Sequence, residues 1–145
     1  MSAKKAIDVY LRPNHTAVVF LGGEPTIWDD LPDLVKYVKN KNLKTKIYTN
    51  GQRPDILESC TKYLDAVSID FKAFSDVSKI IGKNISDIEY KNNIFTSILK
   101  LKGYNTNIEI RTTKWPTVEH RKIGKLLHTM WPEIPHILQE GKYYG

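Results

Sequence analysis

The chain has 145 residues, 41% of them hydrophobic and 26% charged, which fits one globular domain with a real core. Its 22 basic and 16 acidic residues leave a net charge of +6 that is spread along the chain, densest over Lys36 to Lys46. No nucleic-acid-binding motif accompanies that charge, no apolar stretch is long enough for a bilayer, and no signal peptide opens the chain. The expectation is therefore a cytoplasmic protein that binds neither membrane nor nucleic acid. Cys60 is the one cysteine, so an intrachain disulfide is excluded. A lone thiol also cannot build a conventional zinc or iron–sulfur site, and no metal ligands are expected from these residues.

Ala3, Ala6, Ile7, Tyr10 and Leu11 fall at helical spacing, so Ser2 to Leu11 reads as an amphipathic helix. Pro13 and Asn14 end it. Ala17 to Leu21 lacks polar alternation and reads as a strand buried on both faces. It stops at Gly22, Gly23, Glu24 and Pro25. The two glycines permit backbone that side chains forbid and let a ligand approach closely. Pro25 restricts Glu24 to an extended conformation.

Asp29 or Asp30 can cap a helix whose apolar stripe is Leu31, Leu34, Val35 and Val38. Lys44 to Tyr48 alternates as a second strand and runs into Thr49-Asn50-Gly51, a turn sequence. Pro54 opens a helix to Lys62 that contains Cys60. Ala66 to Phe71 is the third strand, with Asp70 and Lys72 at its end. Residues 73–84 are irregular around one short helix. Asp87 opens a longer helix that Gly103 terminates. Asn107 to Arg111 is the fourth strand, followed by Thr112 and Thr113. Thr117 caps a helix reaching Met130, and Pro132 and Pro135 break it. Ile137 to Gln139 is a short final strand.

Strands alternate with helices, which implies a parallel sheet. Glu24, Thr49 with Asn50, Asp70 with Lys72, Arg111 with Thr112 and Thr113, and Gln139 all stand at strand carboxyl ends. In a parallel sheet those ends share one edge, where α/β proteins place ligands. The chemistry there suits a zwitterion. Glu24 can accept hydrogen bonds from an ammonium group. Lys72 and Arg111 can pair with a carboxylate, Arg111 with two parallel bonds. Asp70 can hold Lys72 or bind ribose hydroxyls, and Thr49 and Asn50 offer neutral donors and acceptors.

The ordered set Leu21-Gly22-Gly23-Glu24-Pro25-Thr26, Tyr48-Thr49-Asn50-Gly51, Ile69-Asp70-Phe71-Lys72-Ala73 and Arg111-Thr112-Thr113 resembles the radical S-adenosylmethionine superfamily. Within it the set is similar to the activating proteins of anaerobic ribonucleoside-triphosphate reductase and the related pyruvate formate-lyase activases. The likeness runs from about His15 to Gln139. It implies an α/β partial barrel of parallel strands as one domain over residues 1–145. It also implies S-adenosylmethionine as cofactor, its amino group held by Gly22, Gly23, Glu24 and Pro25. Asp70 and Lys72 then lie near the cofactor's polar groups, and Thr49, Asn50 and Arg111 line the cleft.

The family's Cys-x-x-x-Cys-x-x-Cys loop, which holds a 4Fe–4S cluster, has no counterpart here. In the family that cluster supplies the electron that cleaves the sulfonium to a 5′-deoxyadenosyl radical. The expectation is a partial barrel missing its first strand and cluster loop, an activase whose partner is a glycyl radical enzyme, the anaerobic ribonucleotide reductase large subunit. It is active only if a separate cysteine-loop segment supplies the cluster. The alternatives are a non-catalytic relative that binds S-adenosylmethionine or a partner, and a barrel lyase or aldolase with Lys72 as a Schiff-base lysine.

Overall fold

The computed structural model describes residues 1–142. Five strands form one parallel sheet whose spatial order follows the chain: β1 (Ala17–Phe20), β2 (Lys44–Thr49), β3 (Ala66–Asp70), β4 (Asn107–Lys114) and β5 (His136–Glu140). Between them run α2 (Leu31–Lys39), α3 (Pro54–Cys60), α4 (Val77–Ile81), α5 (Asp87–Lys102) and α6 (His120–Met130), with α1 (Ala3–Tyr10) ahead of β1. The α/β parallel architecture expected from the alternation is what the chain adopts.

The core lies between the sheet and its helices. Ile47, Val67, Ile69 and Ile110 point from the strands onto Val35, Leu57, Ile94, Ile98 and Ile123 of α2, α3, α5 and α6, all essentially without exposure. Full burial of each such side chain is worth about 1.5–3 kcal/mol. Phe71 packs edge-on against Tyr90, with ring centroids 5.9 Å apart. The opposite face of the sheet is polar. Lys46 and Tyr48 of β2, Ser68 and Asp70 of β3, and Glu109 and Arg111 of β4 alternate with the core residues. There Glu109 accepts from Ser68 Oγ at 2.8 Å and from Lys46 Nζ at 3.2 Å. Burial opposes the Glu109 charge, but these donors win and hold its carboxyl below the usual value.

Four expectations need correction. β1 is not buried on both faces. It is an edge strand, with Val19 42% exposed and Leu21 beyond it 64% exposed. Its apolar run matches a central strand, but only β2 lies beside it. Thr117 does not cap α6 either: Glu119 occupies the N-cap position, and its carboxylate goes to Ser75 and Lys122. The strands β4 and β5 also run further than expected, to Lys114 and Glu140. Cys60 is fully buried in α3, as a small apolar residue would be.

Among the described residues, no helix is long and apolar enough to cross a membrane.

Candidate functional site

The carboxyl ends of β1, β2 and β3 bring Glu24, Thr49, Asn50, Asp70 and Lys72 to one edge of the sheet, and Arg111 joins them from within β4, level with Asp70 and not at the strand end expected for it. After β1 the backbone turns through Gly22 and Gly23 with φ of +87° and +56°. A Cβ built on either would meet no atom within 4 Å. The glycines therefore serve the left-handed turn and leave an open main-chain cradle, not a packed one. Pro25 and Thr26 then enter a short 3-10 turn and are buried.

Glu24 is the most connected group of the site. Its Oε1 accepts from Thr26 Oγ1 at 2.7 Å, Thr49 Oγ1 at 2.6 Å and Thr26 N–H at 3.3 Å. Its Oε2 accepts from Asn50 N–H at 2.7 Å. These bonds tie the loop after β1 to the turn after β2. That turn is itself fastened to α5: Ser97 donates to the Gly51 carbonyl, and Gln52 donates to the Tyr90 carbonyl. The Thr49 hydroxyl and the Asn50 backbone N–H thus both hold Glu24.

Asp70 and Arg111 are register partners on β3 and β4. Burial pushes the Asp70 carboxyl above its ordinary value; Lys72 and Arg111 oppose the shift, and Glu24 adds to it. Among the described residues no ion pair joins Asp70 to Lys72. The Arg111 guanidinium lies over the Tyr48 ring, 5.3 Å from its centroid, and its buried Nε has no hydrogen-bond partner. A buried guanidinium donor without an acceptor is costly unless a ligand supplies one.

Lys72 is exposed and lines two cavities. One, of about 780 Å³, also has Lys79, Thr113, Trp115 and Thr117 in its wall. The other, of about 310 Å³, includes Asn50, Gln52 and Tyr90. Its backbone N–H donates to the buried Tyr90 hydroxyl at 2.8 Å. Thr112 does not join the site. It is buried on the helix side, with its hydroxyl 2.9 Å from His136 Nε2. Trp115 and Tyr90 were not foreseen as part of this edge, and Thr26 was read only as part of the motif, not as a partner of Glu24. Trp115 just past a strand end was the one readable signal among them.

The residues present fit the polar groups of S-adenosylmethionine. The glycine turn and Glu24 suit an ammonium, Arg111 has an unsatisfied donor for a carboxylate, and Asp70 can accept from ribose hydroxyls. They do not fit a 4Fe–4S cluster. Burial pushes the Cys60 thiol up to about 12, and among the described residues no three Cys, His, Asp or Glu side chains are grouped to hold a metal.

Residues 2–129 match the Radical SAM superfamily. The chain belongs to that superfamily. A candidate glycyl-radical enzyme activating enzyme of Methanocaldococcus jannaschii is 39% identical over 106 residues, which cover 70% of this chain and 44% of the relative. An S-adenosylmethionine-dependent nucleotide dehydratase of Flammeovirga pacifica is 29% identical over 104 residues, 67% of this chain and 36% of the relative. The radical SAM chain described here thus spans less than half the length of these relatives. Among solved structures, that of TYW1 with a lysine-pyruvate adduct bound superposes with a TM-score of 0.68 at 22% identity. That likeness covers 89% of this chain and 43% of the other, and it supports the partial-barrel fold.

Proposed function

We propose that this chain is the S-adenosylmethionine-holding part of a glycyl-radical enzyme activating protein, and that the enzyme activated is anaerobic ribonucleotide reductase. The observation that carries the cofactor assignment is Glu24, fixed by four hydrogen bonds at the end of the glycine turn and facing an edge that also holds Asp70 and Arg111. The glycyl-radical assignment rests on the 39% identical relative named for that activity. The reductase assignment rests on the ordered motifs of the sequence alone.

This chain's own residues bind and orient. Gly22, Gly23 and Glu24 receive the amino group; Arg111 and Lys72 receive the carboxylate; Asp70 accepts from the ribose. The reductive chemistry belongs to a cluster whose thiolates these residues do not supply. Without iron to chelate the amino-acid end, affinity for S-adenosylmethionine is expected to be weak, on the order of 0.1–1 mM. Calorimetry on the chain tests the cofactor assignment: Glu24→Ala should cost about 1.5–3 kcal/mol through loss of a charge-assisted hydrogen bond. Tight binding indifferent to Glu24→Ala would refute the cleft.

The activity is tested by co-expressing the chain with a three-cysteine segment and the reductase large subunit under anaerobic conditions. A glycyl radical signal and 5′-deoxyadenosine are expected. The second reading, a non-catalytic binding relative, is favoured by the one inert, buried thiol. It predicts S-adenosylmethionine binding with neither product.

A further inference from the structure

Both oxygens of the Glu24 carboxylate are engaged, but unequally. A carboxylate oxygen has two lone pairs. Oε1 receives the Thr26 and Thr49 hydroxyls and the Thr26 N–H, so it is saturated. Oε2 receives only the Asn50 N–H. Both threonine hydroxyls donate to Oε1. Thr49 can then accept on the other side of its oxygen, and it does, from the Gly51 N–H at 3.1 Å. Thr26 is 0% and Thr49 3% exposed, so water does not compete for either hydroxyl. The result is a one-way chain of hydrogen bonds, Gly51 to Thr49 to Glu24, that stops the carboxylate from rotating.

We infer that Thr26 and Thr49 are positioning residues for ligand recognition, which saturate Glu24 Oε1 and leave Oε2 as the single carboxylate oxygen open to a cationic amino group. The inference rests on the proposed binding of S-adenosylmethionine. It deepens that reading by assigning the ammonium contact to one oxygen and its orientation to two buried hydroxyls. It also predicts that an amide is a poor replacement for the carboxylate. With the Gln oxygen in the place of Oε1, its NH₂ would face the Asn50 N–H; flipped, the NH₂ would face the Thr26 N–H.

The experiment uses the full chain and two ligands, S-adenosylmethionine and 5′-methylthioadenosine, which keeps the nucleoside and lacks the amino-acid end. Thr49→Val should weaken S-adenosylmethionine roughly tenfold by freeing the carboxylate. The same variant should leave 5′-methylthioadenosine unchanged, and Thr49→Ser should restore the affinity. Equal loss for both ligands, or no loss for either, overturns the inference. A second measurement does not need the ligand. The Asn50 amide proton, bonded to Oε2 across 2.7 Å, should shift in Thr49→Val and in Thr26→Val when followed by nitrogen–proton correlation NMR. An Asn50 resonance that ignores both changes overturns the positioning role. A resonance that moves in a chain that binds no S-adenosylmethionine supports the hydrogen-bond chain and refutes the proposed cofactor instead.

Discussion

Gly51 stands so close to Ile69 that a Cβ on the glycine would lie 2.9 Å from the isoleucine Cγ2. The turn after β2 can press against β3 only because that atom is missing. Gly51 also has φ of +70°, in the left-handed region. Gly51→Ala therefore combines backbone strain with overpacking against Ile69 and Ile94, and should destabilise by about 2–4 kcal/mol in urea unfolding. Because the same turn carries Asn50, any residual folded protein should show a displaced Asn50 amide. A variant of native stability would contradict the tight approach.

Asp70 should make stability depend on pH in the sense opposite to a salt-bridged carboxylate. Burial raises its native-state pKa, with Glu24 contributing and Lys72 and Arg111 opposing. The native state then binds this proton more tightly than the unfolded chain. The contribution to stability is fully present below the ordinary value of 3.8 and is lost as pH rises through the raised one. Asp70→Asn removes the dependence. Its Tm relative to the unsubstituted chain should climb from little difference at acid pH to a clear gain at neutral pH. A constant difference across that range would show that burial of the charge is not the cause.

Tyr90 supplies the acceptor for the Lys72 N–H and is 1% exposed. Burial, outweighing the Lys72 N–H, pushes its phenol up to about 12. Tyr90→Phe keeps the ring and its packing on Phe71 but strands that backbone donor, at about 1–3 kcal/mol. Chemical unfolding reads the cost directly, and a neutral substitution would mean that water reaches the Lys72 N–H.

Cys60 should be chemically silent in the folded chain. With its thiol pushed up to about 12 by burial, thiolate is scarce at neutral pH. Alkylation should require denaturant, and anaerobic reconstitution with iron and sulfide should leave the chain without a stoichiometric cluster. Rapid labelling of the native protein would disprove the burial.

The alternation of apolar stripes and turn residues makes the order of strands and helices readable in the sequence. The position of Glu24 and Asp70 at strand ends followed from that order; Arg111 lies within β4, level with Asp70, and not at its end. What β1 faces did not follow, because burial of a strand depends on its neighbours in the sheet, and these are set by tertiary contacts. The continuation of β4 through Thr112 to Lys114 was hidden by hydroxyl residues that read equally well as a turn. The capture of Glu24 by Thr26 and Thr49 was beyond the sequence too. Thr26 meets Glu24 within one local turn two residues on, but Thr49 lies twenty-five residues away and reaches it only because β1 pairs with β2.

Because the sheet is laid down in chain order, Glu24, Thr49, Asp70 and Arg111 come from four successive strands, each separated from the next by a helical return. No two neighbouring turns of chain contain the whole binding edge. Its assembly must await the docking of β1 through β4, and loop closure makes such distant pairings slow to form. A nascent chain would have no cleft until Arg111 was released and β4 had joined the sheet. Recognition of ligand is thus a report on completed folding, and any compound that binds this edge should slow global unfolding and not merely local fraying.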